Sequence, residues 1–309
     1  MTGPRGVGVG WRPEIDRTVE ALVDRGDAEF VEVVAEDLHP DALPGSLGRL
    51  RGRGVTVLPH AVSLSLGGAE ELRTDRVDHL GAVATALDAP LVSDHVCFVR
   101  AGGLESGHLL PVPRTRDALD VVVENVRVAQ DRLPVPLALE NIAALLAWPD
   151  AELAEGAFLA ELCARTDVGL VLDVANLHAC AVNLGQDPGQ VLDDLPLERV
   201  VYVHAAGGTT GPDGLYHDTH AHPLGPAVLD LLADLLARCA AVGVHPGVLL
   251  ERDDRYPSDG ELAAELGLLR TIRDHGAVRA AGREGDVRQA SGHQDLPGVH
   301  LASADRSRG

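Results

Sequence analysis

Apolar residues along this chain follow two alternating spacings. The first is a short, nearly continuous run, seen at Gly6–Trp11, Phe30–Glu36, Gly54–Val62, Pro90–Phe98, Pro136–Ile142, Val168–Leu177, Val200–Gly207 and Gly247–Asp253. Runs such as Val168-Gly-Leu-Val-Leu-Asp-Val leave no polar face, which suits parallel strands buried on both sides. The second spacing is helical: Ile15, Val19, Leu22 and Val23; Ala118, Val122 and Val126; Leu229, Leu232, Leu236 and Cys239; Leu262, Leu266, Leu269 and Ile272. Strands alternating with helices in this way predict an α/β protein, a closed (β/α)8 TIM barrel. A doubly wound open sheet is the alternative. Its support is weak, because Gly6-Val-Gly-Val-Gly10 lacks the full glycine spacing of a dinucleotide-binding turn.

Two connections are longer than a barrel needs. One, about Val99–Pro113, contains His108; the other, about Gly208–Gly225, contains Tyr216-His-Asp-Thr-His-Ala-His222. Loops at the carboxyl ends of barrel strands are where sites are usually built. From Ala277 the pattern fails, and Gly, Ser, Asp, Arg and Gln dominate. The expected division is therefore a barrel domain over 1–276 and a disordered tail over 277–309.

Composition narrows the chemistry. A length of 309 residues accommodates the roughly 250 of a typical barrel. The formal net charge of −21 argues against a nucleic-acid groove, since phosphate binding needs clustered cations. The chain contains no lysine, which removes Schiff-base chemistry, covalent pyridoxal attachment and lysine general bases. Cys97, Cys163, Cys180 and Cys239 show no paired spacing and read as free thiols of a cytoplasmic protein. Neither a signal peptide nor a long uncharged stretch is present in the sequence, so no membrane association is expected.

Most of the apolar runs end in a residue able to bind a metal. In a barrel those ends converge on one mouth, which gathers His60, His95, Glu140, Asp173, Asn176, His204 and Glu251; Asp218 and His220 can fold in from the seventh loop. One zinc takes about four ligands. This larger set of nitrogens and oxygens, without a thiolate, suits two or three ions bridged by carboxylates, with iron, manganese or zinc as candidates. Each residue also has an ordinary reading. A lone strand histidine is usually a hydrogen-bonded core residue, Asp173 can cap a turn, and Glu251 can pair with Arg252 or Arg255. His178 is open between core, ligand and neighbour of a ligand. His108, His217 and His222 fit solvent-exposed loops, and Glu32 or Glu36 can face the mouth as an acceptor that orients a ligand.

The segments Leu58-Pro-His-Ala-Val-Ser-Leu-Ser-Leu-Gly67, Ser93-Asp-His95, Leu139-Glu-Asn141, Leu172-Asp-Val-Ala-Asn176, Val203-His-Ala-Ala-Gly207, His217-Asp-Thr-His220 and Leu250-Glu-Arg-Asp253 together resemble the multinuclear non-haem iron-dependent oxidative enzymes. The resemblance runs from about Gly6 to Ile272. It implies a TIM barrel with two or three irons of mixed Fe(II)/Fe(III) state, held by His60, His95, Glu140, Asp173, Asn176, His204, Asp218, His220 and Glu251. It further implies dioxygen as co-substrate, a ribosomally made precursor peptide as substrate, often modified at cysteine, and a separate peptide-recognition protein as partner. Two positions depart from the family pattern: Ile142 follows the Glu-Asn pair where Pro or a small residue is common, and Ala175 precedes Asn176 where a polar residue is common. Three rival readings remain: a divalent-metal sugar isomerase or epimerase on the same barrel, a metal-dependent nuclease, and a metal-stabilised peptide adaptor.

Overall fold

The computed structural model describes residues 2–290, with side chains described to residue 275. Among the described residues twelve strands occur in chain order: β1 Val7–Gly10, β2 Phe30–Val34, β3 Thr56–His60, β4 Val92–His95, β5 Cys97–Ala101, β6 Leu104–Pro111, β7 Leu137–Glu140, β8 Gly169–Asp173, β9 Val200–Ala205, β10 Thr209–Thr210, β11 Tyr216–His217 and β12 Gly247–Leu250. The principal helices are α1 Asp16–Asp24, α2 Gly45–Gly52, α3 Thr74–Leu87, α4 Arg116–Arg132, α5 Glu155–Thr166, α6 Val174–Leu184, α7 Pro188–Asp194, α8 Pro226–Ala241 and α9 Asp259–Ala290. Eight strands close a parallel barrel in the order β1-β12-β9-β8-β7-β4-β3-β2. The TIM barrel expected from the alternating runs is the observed fold.

Side chains alternate along a strand, and that period builds the interior in two storeys. Phe30, Leu58, Leu91, Ala138, Val171, Tyr202 and Leu249 pack together inside the barrel. Two residues further along the same strands stand Glu32, His60, Ser93, Glu140, Asp173, His204 and Glu251, all buried. The lower storey is an apolar plug and the upper one is polar. Outward residues of the same strands, such as Val31, Val57, Leu139, Leu172 and Val203, join the helices in the main core. Phe30 explains one glycine: a Cβ on Gly8 would lie 2.5 Å from its ring, so only glycine lets the plug fill.

Two expectations need correction. The sixth run does not continue as strand to Leu177. β8 stops at Asp173, whose side chain accepts from the Asn176 amide and caps α6, so Asn176 sits in the first helical turn. The fourth run is split, with His95 ending β4 and Cys97 opening β5. The long connection after it is an antiparallel hairpin of β5 and β6. Gly102 and Gly103, both at positive φ, form its tip, a backbone state glycine enters without steric cost. Helix α9 runs from Asp259 to Ala290; of the stretch expected as tail, the side chains from 276 and all of 291–309 lie outside the described residues. Among the described residues no helix is long and apolar enough to cross a membrane.

Candidate metal centre

Strand register brings the upper-storey donors together. His60 pairs with Ser93, His95 with Glu140, and Asp173 with His204 across neighbouring strands. Among the described residues three overlapping groups result, within each of which the ligand atoms lie within 4.8 Å of one another: His60, His95 and Glu140; Glu140, Asp173, His204 and Glu251; Asp173, Asp218 and His220. Glu140 and Asp173 each belong to two of the groups. Eight of the nine residues singled out from the sequence are in these groups. The ninth, Asn176, stands beside them, its Nδ2 donating to the Asn141 carbonyl at 2.9 Å and lying 3.4 Å from Glu140 Oε1.

Each imidazole has one nitrogen engaged or facing a side acceptor and the other aimed at the carboxylates. His60 Nδ1 meets Ser93 Oγ at 2.8 Å, which leaves Nε2 3.6 Å from Glu140 Oε2. His204 Nε2 meets Glu32 Oε2 at 3.0 Å, which leaves Nδ1 3.2 Å from Glu140 Oε2 and 3.4 Å from Glu251 Oε2. His220 Nδ1 meets Asp253 Oδ2 at 2.8 Å, and its Nε2 lies 2.9 Å from Asp218 Oδ2. His95 Nε2 is 3.6 Å from Glu140 Oε2, and its Nδ1 is 3.5 Å from Asp94 Oδ1. Holding one ring nitrogen fixes the tautomer and the direction of the other, as metal-binding histidines require.

Charge balance points the same way. Burial pushes the Asp173 carboxyl well up, and Asp218, Glu140 and Glu251 push it further. Burial alone would lower His95, but Glu140 and Asp94 outweigh it and push the ring up to about 9. His204 and His220 are likewise raised against burial by the surrounding carboxylates. His60 goes down, through burial and then through His95 and His204. So many buried carboxylates need positive charge among them. A cation fits on a second count: among the described residues Glu140 Oε2, Asp173 Oδ2, His204 Nδ1 and Asp218 Oδ1 are buried with no hydrogen-bond partner. Orphans of this kind are costly and rare in protein interiors, and here they converge on one mouth.

The alternatives resolve residue by residue. Asp173 does cap a helix, through Oδ1, while its Oδ2 stays unpartnered among the donors. Glu251 faces His204 and His220, and Arg252 pairs with Glu265 instead. Glu32 is buried at the mouth and accepts from Tyr202; Glu36 accepts from the Val62 amide at the rim. His178 packs edge-on against Tyr216. His222 bonds Thr219, His217 lies 3.4 Å from Asp213, and His108 is exposed on the hairpin. All four cysteines are buried and outside the donor groups.

Sequence reasoning missed Ser93, Tyr202, Asp253 and Asn141 as supports. Ser93 Oγ reaches Tyr202 OH at 2.7 Å, and Tyr202 OH donates to Glu32 at 2.6 Å. One hydrogen-bonded chain therefore runs under the mouth from His60 to His204. Asn141 brackets Asp173, donating to its carbonyl at 3.0 Å and accepting from its amide at 2.9 Å. Ser93 and Tyr202 each lie two residues before a donor histidine on an inward-facing period, a signal available in the sequence.

Fold and donors together define a (β/α)8 barrel whose mouth is built from buried His, Glu and Asp groups able to hold metal ions. The chain belongs to the MbnB/TglH/ChrH family of RiPP precursor modification enzymes, whose profile matches residues 6–274. These enzymes act on ribosomally synthesised precursor peptides. A UPF0276 protein of Streptomyces avermitilis is 55% identical over 285 residues, covering 90% of this chain and 57% of that protein. The chain thus spans little more than half of that relative. A UPF0276 protein of Caulobacter vibrioides is 37% identical over 91% of this chain and 97% of its own length. Among solved structures, L-ribulose 3-epimerase superposes with a TM-score of 0.61 at 14% identity, over 96% of this chain and 100% of that one. Endonuclease IV from Thermus thermophilus gives 0.55 at 23%, over 88% and 100%. At these identities the likeness concerns the fold alone.

Proposed function

We propose that this protein is an iron-dependent oxidative enzyme that modifies a precursor peptide at cysteine, with dioxygen as co-substrate. Two or three irons of mixed Fe(II)/Fe(III) state would be held by His60, His95, Glu140, Asp173, Asn176, His204, Asp218, His220 and Glu251. The reading is carried by one observation: three donor groups overlap through Glu140 and Asp173 in a chain whose family modifies precursor peptides. A mononuclear site would not need two shared carboxylates. Iron held by these residues would supply one-electron chemistry toward dioxygen and affinity for a substrate thiolate.

The protein's own contribution is arrangement. Ser93, Tyr202 and Glu32 orient His60 and His204 from below, and Asp253 orients His220 from the side. The apolar plug of Phe30, Leu58 and Leu249 seals the floor, which keeps water out from beneath and strengthens the charges above it. The chain's own thiols stay out of the reaction: burial pushes Cys163, Cys180 and Cys239 up to about 12 and Cys97 well above the usual thiol range. In this reading the reacting thiol belongs to the peptide. In this proposal a separate protein recognises the rest of the peptide.

The test is anaerobic purification with iron quantification, followed by oxygen uptake and mass spectrometry with a co-expressed cysteine-containing peptide. Iron above one per chain and an oxygen-dependent mass change are expected. A single colourless divalent ion, with activity on sugars indifferent to oxygen, would instead establish the isomerase reading.

A further inference from the structure

β1 and β12 lie side by side in the barrel, with Val9 paired to Leu250. Arg12 and Asp253 each stand three positions beyond that pair, and their side chains meet over the seam. Arg12 Nη2 lies 2.5 Å from Asp253 Oδ1, and Arg12 Nη1 donates to the Trp11 carbonyl at 2.8 Å. The guanidinium is thereby held at two points, and its side chain is only 11% exposed. Burying a cation is costly; Asp253 first, then Glu251 and Glu32, supply the negative charge that outweighs it. Asp253 turns its other oxygen to His220, on the connection after β9, with Oδ2 meeting Nδ1 at 2.8 Å. Its amide donates to the His220 carbonyl at 2.9 Å. Both carboxylate oxygens are thus engaged, and Asp253 stands outside the donor groups found among the described residues.

We infer that Arg12 is a positioning residue of the metal centre: it holds Asp253 on His220 and so fixes the loop-borne donor of the Asp173–Asp218–His220 group. This rests on the metal-holding part of the reading above, and on neither the identity of the ion nor the reaction. A carboxylate on Nδ1 requires the hydrogen there, which leaves the Nε2 lone pair for an ion. Nε2 does face the group, 2.9 Å from Asp218 Oδ2. Asp253 alone is a poor anchor. Its side chain is 38% exposed, and one exposed contact between charged side chains is weak, because rotamer freedom and water oppose it. The Arg12 guanidinium, itself fixed on the Trp11 carbonyl, removes that freedom. The strand-borne donors are supported in the same way. Glu32, which meets His204, is held by Tyr202 OH at 2.6 Å, and Ser93, which meets His60, by the same hydroxyl at 2.7 Å. Arg12 is their counterpart for His220, and it ties a loop after β9 to the end of β1. Lysine is no equivalent, since an ammonium lacks the planar fork that reaches Trp11 and Asp253 together.

The probe is Co(II), titrated anaerobically into the demetallated full chain and followed by its visible absorption bands. The bands missing from His220→Ala mark the loop-borne group. In Arg12→Gln those bands should need about tenfold more Co(II), the lower end of the roughly 10–100-fold typical of residues that orient ligands, while the other bands titrate within about twofold of the wild type. Arg12→Lys should fall between. Asp253→Asn should weaken the same bands, and adding Arg12→Gln to it should weaken them no further, since substitutions acting through one contact are not additive. Circular dichroism and thermal melts check the fold of each variant. The inference is overturned if a folded Arg12→Gln fills the loop-borne group as the wild type does, if all bands weaken alike, or if the two substitutions add. Should Arg12→Gln not fold, Arg12→Lys is judged by the same criteria; failure of both to fold assigns Arg12 to closure of the barrel seam and also overturns it. A wild type without Co(II) bands refutes the metal centre itself, and this inference with it. Co(II) binding as expected, in a protein that turns over no peptide with oxygen, supports this inference and refutes the oxidative reading alone.

Discussion

His60 and His220 are both imidazoles at the same mouth, yet the chain holds them by different means. His60 ends β3, its side chain is 5% exposed, and it is fixed by a strand on each side. His220 rides on the connection after β9, its side chain is 21% exposed, and its backbone sits at φ 50°. That left-handed state is uncommon for a residue with a Cβ and persists only where neighbours over-determine it. Here they do. Asn183 of α6 exchanges two hydrogen bonds of 2.8 Å with the Tyr216 backbone, and the His220 carbonyl accepts from the Asp253 amide at 2.9 Å. The strand-borne donors are placed by the barrel, whereas the loop-borne donors are placed by side-chain contacts that can be cut singly. The mouth therefore combines a rigid half with an adjustable half, and Asp173 joins the two.

The comparison can be broken most severely at Glu140. Glu140→Ala removes a donor shared by two groups, and it should cost more than the roughly 10–100-fold in metal affinity typical of residues that merely orient ligands. Metal analysis after dialysis would show both strand-borne groups depleted. His220→Ala should act on one side only: the Asp173–Asp218–His220 group loses its ion, while the His60–His95–Glu140 group keeps its own. Equal loss from both would show that the halves are not separable. Glu32→Gln sharpens the rigid half. It weakens the grip on His204 Nε2 and Tyr202, so a loss of roughly 10–100-fold in metal affinity is expected with the fold intact, read by metal titration and circular dichroism. Asn183→Ala is the mildest. It removes the clasp on the loop, and a loss of about 1–3 kcal/mol is expected, seen in denaturant unfolding, with reduced occupancy of the loop-borne group alone.

Much of this is legible in the chain. The runs ending in His60, His95, Glu140, His204 and Glu251 announce strands, because a segment apolar on both faces has few other places to go. The hairpin of β5 and β6 is signalled by Gly102-Gly103 yet reads as a loop, because β6 is largely exposed and carries no clear apolar alternation. Asn176 reads as strand because Val-Ala-Asn-Leu continues an apolar run without a break. Only the cap from Asp173 to the Asn176 amide starts the helix there, and an aspartate announces a cap no more than it announces a ligand.

By itself, then, the sequence determined the barrel and its inward-facing donors, since both follow from local periodicity and residue type. The tertiary structure alone decided which donors share a group, which nitrogen of each imidazole is free, and that Ser93, Tyr202 and Glu32 link His60 to His204. Those outcomes depend on the relative register of strands far apart in the chain, which is set by closure of the barrel and the packing of its plug rather than by any local segment.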